Sequence, residues 1–464
     1  MELHKEIIDI LGDEASALTE SKYEAHTEGL GTLCTISLAC KAWHSFAIQH
    51  IFRMIQLTTN WRERQTYDLN GGNGRVECFL ALIQANPDIA RYVRYVHLEL
   101  PYFDQLEEHA FIEKVCTVIK PITSLKLNFN SFHESIGGDP SLQPHPHLFN
   151  AVHSLTGSPE FRELVLVSQC FHTSFLQDSP KLECLNLNNV PGNVVVDSPA
   201  PYLARPKKFV QWLDPIELIS QLKKNPDVHA IFSEIEDLDT AIGVGEPFMW
   251  GEVLDLGRLT RLSLLFCVLY PDGGAYSCQQ CKKPIGLTRQ FLGWGASFFS
   301  LFRNSIPWKA LSNLVHLSVR VYADEVQLAT PDHDPHDTSD LILAGPSRLP
   351  RLSSLEINVH LGDVIFSKGD VPRLLEKIYR NPLGRTFTER DSFPALRIFQ
   401  TELKLTTWLL QAADEREMTQ LVKEQLPSVF GPGGRGELRG FQANPRVKVV
   451  EDRCGGPSGD EDRE

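Results

Sequence analysis

The chain has 464 residues, with 45 basic and 59 acidic side chains, a net charge of −14 and ten cysteines. This length is about three times that of a typical domain, and a hydrophobic content of 42% excludes disorder throughout. The acidic balance argues against a general nucleic-acid-binding protein, which would present a basic face.

Membrane insertion and export are excluded on similar grounds. The uncharged segment 291–302 is too short for a bilayer span, which needs about 20 apolar residues. Glu2 and Lys5 interrupt the apolar stretch that a signal peptide would need. The cysteines are scattered, several within apolar periodic segments, which is typical of proteins in a reducing compartment. We therefore expect an intracellular protein, cytoplasmic and/or nuclear, without a membrane partner.

The first 57 residues predict a head of three short helices. Apolar residues recur at helical spacing in residues 2–11, and a polar insert follows at 12–31. A second helix is predicted to start near Thr32, as its N-cap, and to run through Trp43. A third apolar segment covers residues 48–55. Three helices this short bury little between them, so apolar surface is left for a partner or for the rest of the chain.

From about Val93 onward the apolar spacing L-x-x-L-x-L recurs eight times. The middle residues of these triplets are Val96, Leu125, Leu164, Leu185, Leu262, Leu317, Leu355 and Leu396. Each triplet predicts one strand whose alternate residues point into a stacked core. The spacing is irregular for a leucine-rich repeat, whose units run at about 20 to 29 residues. The pattern therefore predicts an α/β chain built as an irregular leucine-rich-repeat-like solenoid over residues 58–430.

An ordinary α/β domain with unrelated strands is the alternative interpretation of these triplets. Helices between the strands are predicted at 110–119, 213–222 and 371–379. The long gap between Leu185 and Leu262 is expected to contain either a helical insertion or two degenerate repeats, around Ala200–Leu203 and Ile231–Leu238. The segment 431–464 is rich in glycine and charge, which predicts a disordered tail.

Signatures of catalysis, cofactor binding and metal binding are weak. The spacing of Gly431, Gly433 and Gly436 matches a dinucleotide motif, but no strand leads into it. Cys278 and Cys281 form half of a zinc site, and the alternative is a loop with two ordinary thiols. The Asp- and His-rich segment 332–337 is interpreted as a solvated loop. We expect no enzyme activity, no cofactor and no assigned metal.

Three segments of the head carry a resemblance to a known family. They are Leu3–Ile8, the stretch Ser-Leu-Ala-Cys-Lys-Ala-Trp at 37–43, and Ile-Phe-Arg-Met-Ile at 51–55. Together they resemble an F-box, in particular the F-box-like domains of large fungal families. The match covers residues 1–57. It departs from the family pattern at His4, where the family has proline, and in the length of the spacer at 12–31.

The resemblance implies a subunit that binds a Skp-type adaptor, joins a cullin ubiquitin ligase through it, and presents a protein substrate on its repeats. The positions that match the family's adaptor-facing residues are Leu3, Ile7, Ile8, Leu38, Cys40, Trp43 and Phe52. In the alternative, Trp43 and Phe52 attach the head to its own repeat body. A second hypothesis is an F-box-like scaffold that does not assemble into a ligase, and a third is an enzyme of unknown type.

Overall fold

In the computed structural model the protein is a mixed α/β chain with two compact units, Met1–Gln211 with Ile216–Glu234 and Trp212–Pro215 with Ile235–Glu464. The structure describes residues 23–58, 75–99, 106–119, 121–128, 146–167, 170–177, 179–187, 193–196, 202–212, 215–243, 248–268, 306–323, 349–361, 395–406, 417, 420, 421, 424 and 442–450. Within this part of the chain, no helix is both long and apolar enough to cross a membrane.

Parallel strands and intervening helices alternate along the first unit. The helices are α1 (Tyr23–Ala39), α2 (Lys41–Ile51), α3 (Arg75–Ala85), α4 (Leu106–Val118), α5 (Pro146–Thr156), α6 (Pro215–Lys224) and α7 (Pro226–His229). The strands are β1 (Met54–Thr58), β2 (Tyr95–Glu99), β3 (Ser124–Asn128), β4 (Glu163–Val167), β5 (Cys170–His172), β6 (Cys184–Asn186), β7 (Asn193–Val195) and β8 (Lys208–Gln211). Helices α3, α4 and α5 connect successive strands, as parallel pairing requires.

The first unit's main sheet has the order β1-β2-β3-β4-β6-β8, and β5 pairs with β7 in a separate parallel ribbon. Its ladder aligns the middle residues of the leucine triplets: Val96 lies opposite Leu125, Leu125 opposite Leu164, and Leu164 opposite Leu185. The next residue in this row is Phe209 of β8. Side chains in the row are at most 1% exposed from Val96 to Phe209. The triplets thus form a continuous buried row.

The second unit repeats this arrangement with six further strands. They are β9 (Asp237–Gly243), β10 (Arg261–Val268), β11 (His316–Ala323), β12 (Ser354–Leu361), β13 (Ile398–Thr406) and β14 (Gln442–Val450), paired in parallel in that order. Leu262 lies opposite both Leu238 and Leu317, and Leu317 lies opposite Leu355. These four leucines are at most 1% exposed. Short 3-10 helices at Met249–Glu252, Leu256–Arg258 and Trp308–Ala310 precede β10 and β11.

A recurring backbone hydrogen-bond pattern holds the start of each strand against its neighbour. In the first unit, the Arg94 carbonyl accepts from the amides of Thr123 and Ser124 at 2.8 and 3.1 Å. In the second unit, the Val315 carbonyl accepts in the same way from Ser353 and Ser354, at 2.9 and 3.1 Å. One carbonyl that receives two consecutive amides fixes the register of the strand pair where it occurs, so the buried rows stay aligned.

Several expectations for the head need correction. Helix α1 begins at Tyr23, so Thr32 lies inside a helix rather than at its N-cap, and part of the insert 12–31 is helical. The third apolar segment is not a third helix. Ile51 ends α2, and Met54–Thr58 forms β1, which pairs with β2. Ile55 and Leu57 alternate as buried strand residues, so the sheet begins before the expected boundary at residue 57.

The expectations for the body are corrected in three places. Residues 58–430 contribute to two compact units rather than one body. The last triplet is shifted, because Phe399 rather than Leu396 lies opposite Leu355, and Ile398 is 42% exposed. Strand β14 lies within the segment 431–464 that was expected to be disordered, and its Val447 and Val449 pair with Leu403 and Leu405. Alternating β-branched residues at these positions suit a strand.

Other sequence expectations are matched by elements or lie outside the described residues. Helices α4 and α6 overlap the segments 110–119 and 213–222. The degenerate repeat expected at Ile231–Leu238 leads into β9, whereas the one expected near Ala200–Leu203 is replaced by β8, which starts at Lys208. The predicted first helix at 2–11 and the segment 371–379 lie outside the described residues.

Candidate protein-binding surfaces

The helix pair α1–α2 has a small core of its own. Leu33 is fully buried at its centre, and the partly buried residues that pack against it are Ile36, Trp43, Phe46 and Ile51. Cys40 lies between the helices in an extended conformation, and its carbonyl accepts from the Trp43 and His44 amides at 3.1 and 2.9 Å. His44 Nδ1 also donates to the Ser37 carbonyl, at 3.1 Å. These contacts close the turn that joins the helices.

Leu38 is the predicted adaptor-facing residue that the structure exposes most clearly. Its side chain is 86% exposed in the last turn of α1. Cys40, two residues later, is also exposed. A leucine left in water contributes no burial energy to its own fold, whereas docking it against an apolar partner would gain about 1.5–3 kcal/mol.

Other residues predicted to face the adaptor pack within the chain. Trp43 is part of the cluster around Leu33. The Phe52 ring lies 6.4 Å from the ring of Phe79 on α3, so it packs against the first helix after β1. The Phe52 contact is of the kind that the alternative expects, whereas Trp43 packs within the helix pair itself. Leu3, Ile7 and Ile8 lie outside the described residues.

On the outward face of the second unit's sheet, a polar cluster joins strands β9, β10 and β11. Arg320 Nη2 donates to both carboxylate oxygens of Asp239, at 2.5 and 2.7 Å, and to Ser263 Oγ at 2.9 Å. Asp239 also accepts from Trp212 Nε1 at 3.0 Å. The Arg320 guanidinium carbon lies 5.3 Å from the centre of the Trp212 ring. This geometry combines a charge-assisted hydrogen bond with a cation–π contact.

A second polar cluster lies on the same face, between β11 and β12. His316 Nδ1 is 3.0 Å from Ser354 Oγ, and Nε2 is 4.0 Å from a carboxylate oxygen of Glu356. Asn358 Nδ2 donates to the other oxygen of Glu356 at 2.8 Å. Burial and then the positive charge of Arg261 lower the pKa of His316, against the opposing effect of Glu356 and Asp237. The imidazole is therefore neutral at pH 7.

The outward face of the first unit carries a different polar set. Ser124 Oγ donates to Glu163 at 2.8 Å between β3 and β4. His97 of β2 lies opposite Lys126 of β3. Burial, with a smaller contribution from Lys126, lowers the pKa of His97 to about 4. Both units thus place polar side chains between the buried leucine rows, on the sheet face that the triplets leave free.

Comparisons with known proteins add no assignment. No family model matches the chain, and no curated protein shows a significant match to it.

The outward clusters were not predicted from the sequence. Trp212, Asp239 and Arg320 are far apart in the chain, and only the register brings them together. One feature of the sequence could have indicated which residues face outward. The residue between the second and third leucine of each triplet points away from the core, and in β10 this residue is Ser263.

The sequence offered one weak pair of candidate metal ligands. Cys278 and Cys281 fall outside the described residues. Within the residues that are described, no group of three or more His, Cys, Asp or Glu side chains is placed to hold a metal ion.

Proposed function

We propose that the protein is a non-catalytic substrate-recognition subunit of a Skp-adaptor, cullin and F-box ubiquitin ligase. In this proposal the α1–α2 helix pair is the F-box-like element that binds the adaptor. The strands form an irregular leucine-rich-repeat array whose outward faces bind a protein substrate. The observation that carries the proposal is Leu38, a large apolar side chain that is 86% exposed on a helix pair with its own closed core.

The aligned leucine rows support the recognition half of the proposal. Repeated parallel strands in register present a row of outward side chains whose identity can change without disturbing the buried row. Ser263, Glu356 and Arg320 illustrate this, because each lies on a strand whose leucines are buried. Such surfaces recognise proteins through many polar contacts around a few anchors.

The thiols support an intracellular site of action, cytoplasmic and/or nuclear. Cys34, Cys40 and Cys116 are free cysteines. Free thiols at both exposed and buried positions suit a reducing compartment.

Titration of the full chain with a purified Skp-type adaptor tests the proposal. Wild-type protein should bind, and Leu38→Glu should weaken binding at least about tenfold because it places a charge at an apolar contact. Leu82→Glu is the matched control, since Leu82 is an exposed leucine at 38% on α3, outside the helix pair. Trp43 is a poor choice for this test because its replacement would disturb the Leu33 cluster. Absence of binding by the wild-type chain would instead favour the scaffold without a ligase.

A further inference from the structure

We propose that Ser354 is a reactive serine, activated by His316, that accepts the acyl group of an activated ester. This inference concerns the outward face of the second unit and does not depend on adaptor binding; it adds an acyl-transfer activity to a chain whose proposed role in the ligase is itself non-catalytic. It rests on an arrangement of three side chains on two adjacent strands. His316 and Ser354 occupy the same register position, and Glu356 follows two residues later on the same face of β12.

The nucleophile and its base are already in hydrogen-bonding contact. Ser354 Oγ lies 3.0 Å from His316 Nδ1. A serine hydroxyl reacts poorly by itself and becomes nucleophilic when an adjacent base accepts its proton. In this proposal Nδ1 carries the lone pair, so that the hydroxyl donates and the imidazole accepts.

Glu356 selects this tautomer of His316. Its carboxylate is 4.0 Å from Nε2, which is too long for a direct hydrogen bond but places negative charge beside that nitrogen. The proton therefore favours Nε2 and leaves Nδ1 free to accept. Asn358 fixes the carboxylate by donating to its other oxygen at 2.8 Å. A serine, a base and an orienting carboxylate in this relationship are recognised by geometry rather than by position in the sequence.

The charged groups around His316 also suit a general base. Arg261 of β10 lies opposite His316, Asp237 of β9 lies opposite Arg261, and Glu356 faces it from β12. Burial and Arg261 together lower the pKa of His316, so the base is unprotonated at neutral pH. Arg261 is exposed and places a positive charge opposite His316, on the face where the oxyanion of the acyl transfer would develop.

The reaction balances without a further cofactor. Ser354 Oγ forms a bond to the acyl carbon, and the bond from that carbon to the leaving phenol or alcohol breaks. The hydroxyl proton passes to His316 Nδ1 and then to the leaving oxygen. Water, deprotonated by His316, then hydrolyses the acyl-serine and restores the hydroxyl.

Labelling of the full chain with a fluorophosphonate probe tests the proposal directly. The probe's phosphorus bonds to a serine oxygen and fluoride leaves, so fragment-ion mass spectrometry can locate the adduct. We expect labelling at Ser354 and its loss in Ser354→Ala. Ser353→Ala is the matched control, because the Ser353 hydroxyl donates to the Val315 carbonyl at 3.3 Å. The Ser353→Ala variant should be labelled at Ser354 at the wild-type rate.

Variants of the base and a pH profile separate activation from simple exposure. His316→Gln should slow labelling at least about 100-fold, the size expected for loss of a general base. Glu356→Gln should slow it less. In the wild-type chain, the labelling rate should rise with pH up to the lowered pKa of His316 and level off by pH 7. Any of three results would overturn the proposal: no adduct at Ser354, labelling of Ser353 to the same extent, or a labelling rate that does not change with pH in the acid range.

Discussion

Arg320 on β11 reaches across β10 to Asp239 on β9, where its Nη2 contacts both carboxylate oxygens. The two side chains are 24% and 18% exposed, so the pair is only partly screened by water. The contact joins residues 81 positions apart and fixes the relative register of three strands on the face proposed to bind a substrate.

Replacing Arg320 should destabilise the second unit. Arg320→Ala leaves Asp239 with the Trp212 indole as a donor and should lower the free energy of unfolding by about 1–3 kcal/mol. Chemical denaturation of the full chain measures this. The matched control is Arg91→Ala, which removes an ion pair to Asp88 with side chains 78% and 67% exposed. That change should cost no more than about 1 kcal/mol, and equal effects of the two variants would contradict the structural role of Arg320.

The buried leucine row should be far more sensitive to truncation than the residues beside it. Leu317 is fully buried between Leu262 and Leu355, and Leu317→Ala should cost about 2–5 kcal/mol through lost burial and a residual cavity. Val315, two residues earlier and 39% exposed, provides the control. Val315→Ala should change the unfolding midpoint only slightly. A small effect at Leu317 would show that the row is not packed as described.

A glycine in α1 offers a stabilising substitution. A Cβ at Gly31 would meet no atom within 4 Å, so Gly31→Ala should stabilise the helix pair by about 0.5–1 kcal/mol. Gly157 is the contrasting position, because a Cβ there would lie 3.2 Å from the His153 carbonyl oxygen. Gly157→Ala should therefore be neutral or destabilising. Thermal unfolding of both variants measures the difference, and stabilisation at Gly157 alone would contradict the description of both sites.

His97 should make the protein sensitive to mild acid. Its folded pKa of about 4 lies below the unfolded value of 6.5, so the unfolded state binds a proton first as pH falls. Stability from this group is fully present above pH 6.5 and is lost between pH 6.5 and about 4. Over that range the unfolding free energy of His97→Gln should fall less steeply with pH than that of the wild type. The difference in slope should correspond to the uptake of at most about one proton on unfolding. An unchanged slope would mean that His97 ionises alike in both states.

The sequence predicted the strands directly where leucine or valine occupies the buried positions; elsewhere it offered only degenerate repeats, one of which leads into β9 while the other misses β8. In β8 the buried triplet is Pro206, Phe209 and Gln211, and in β9 it is Ile235, Leu238 and Thr240. Gln and Thr do not look like core residues in a one-dimensional pattern. Thr240 is tolerated because its hydroxyl accepts from Trp250 Nε1 at 2.9 Å inside the core. Only the folded chain shows this partner.

The candidate surfaces were less predictable than the strands. Local helical spacing groups Leu38 and Trp43 together, but the structure exposes the first and packs the second against Leu33. Which face of a short helix pair turns inward depends on the partner helix, which spacing alone does not specify. The outward clusters depend on register across three strands, so residues such as Asp239 and Arg320 carry no signal of their proximity in the sequence.

Hydrogen–deuterium exchange of the full chain, with and without a purified Skp-type adaptor, tests the central claim most directly. The proposal predicts that the adaptor slows exchange in α1 and α2, around Leu38, and that Leu38→Glu abolishes this protection while Leu82→Glu preserves it. Unchanged exchange throughout Tyr23–Ile51 at saturating adaptor, or protection confined to the strands, would contradict it.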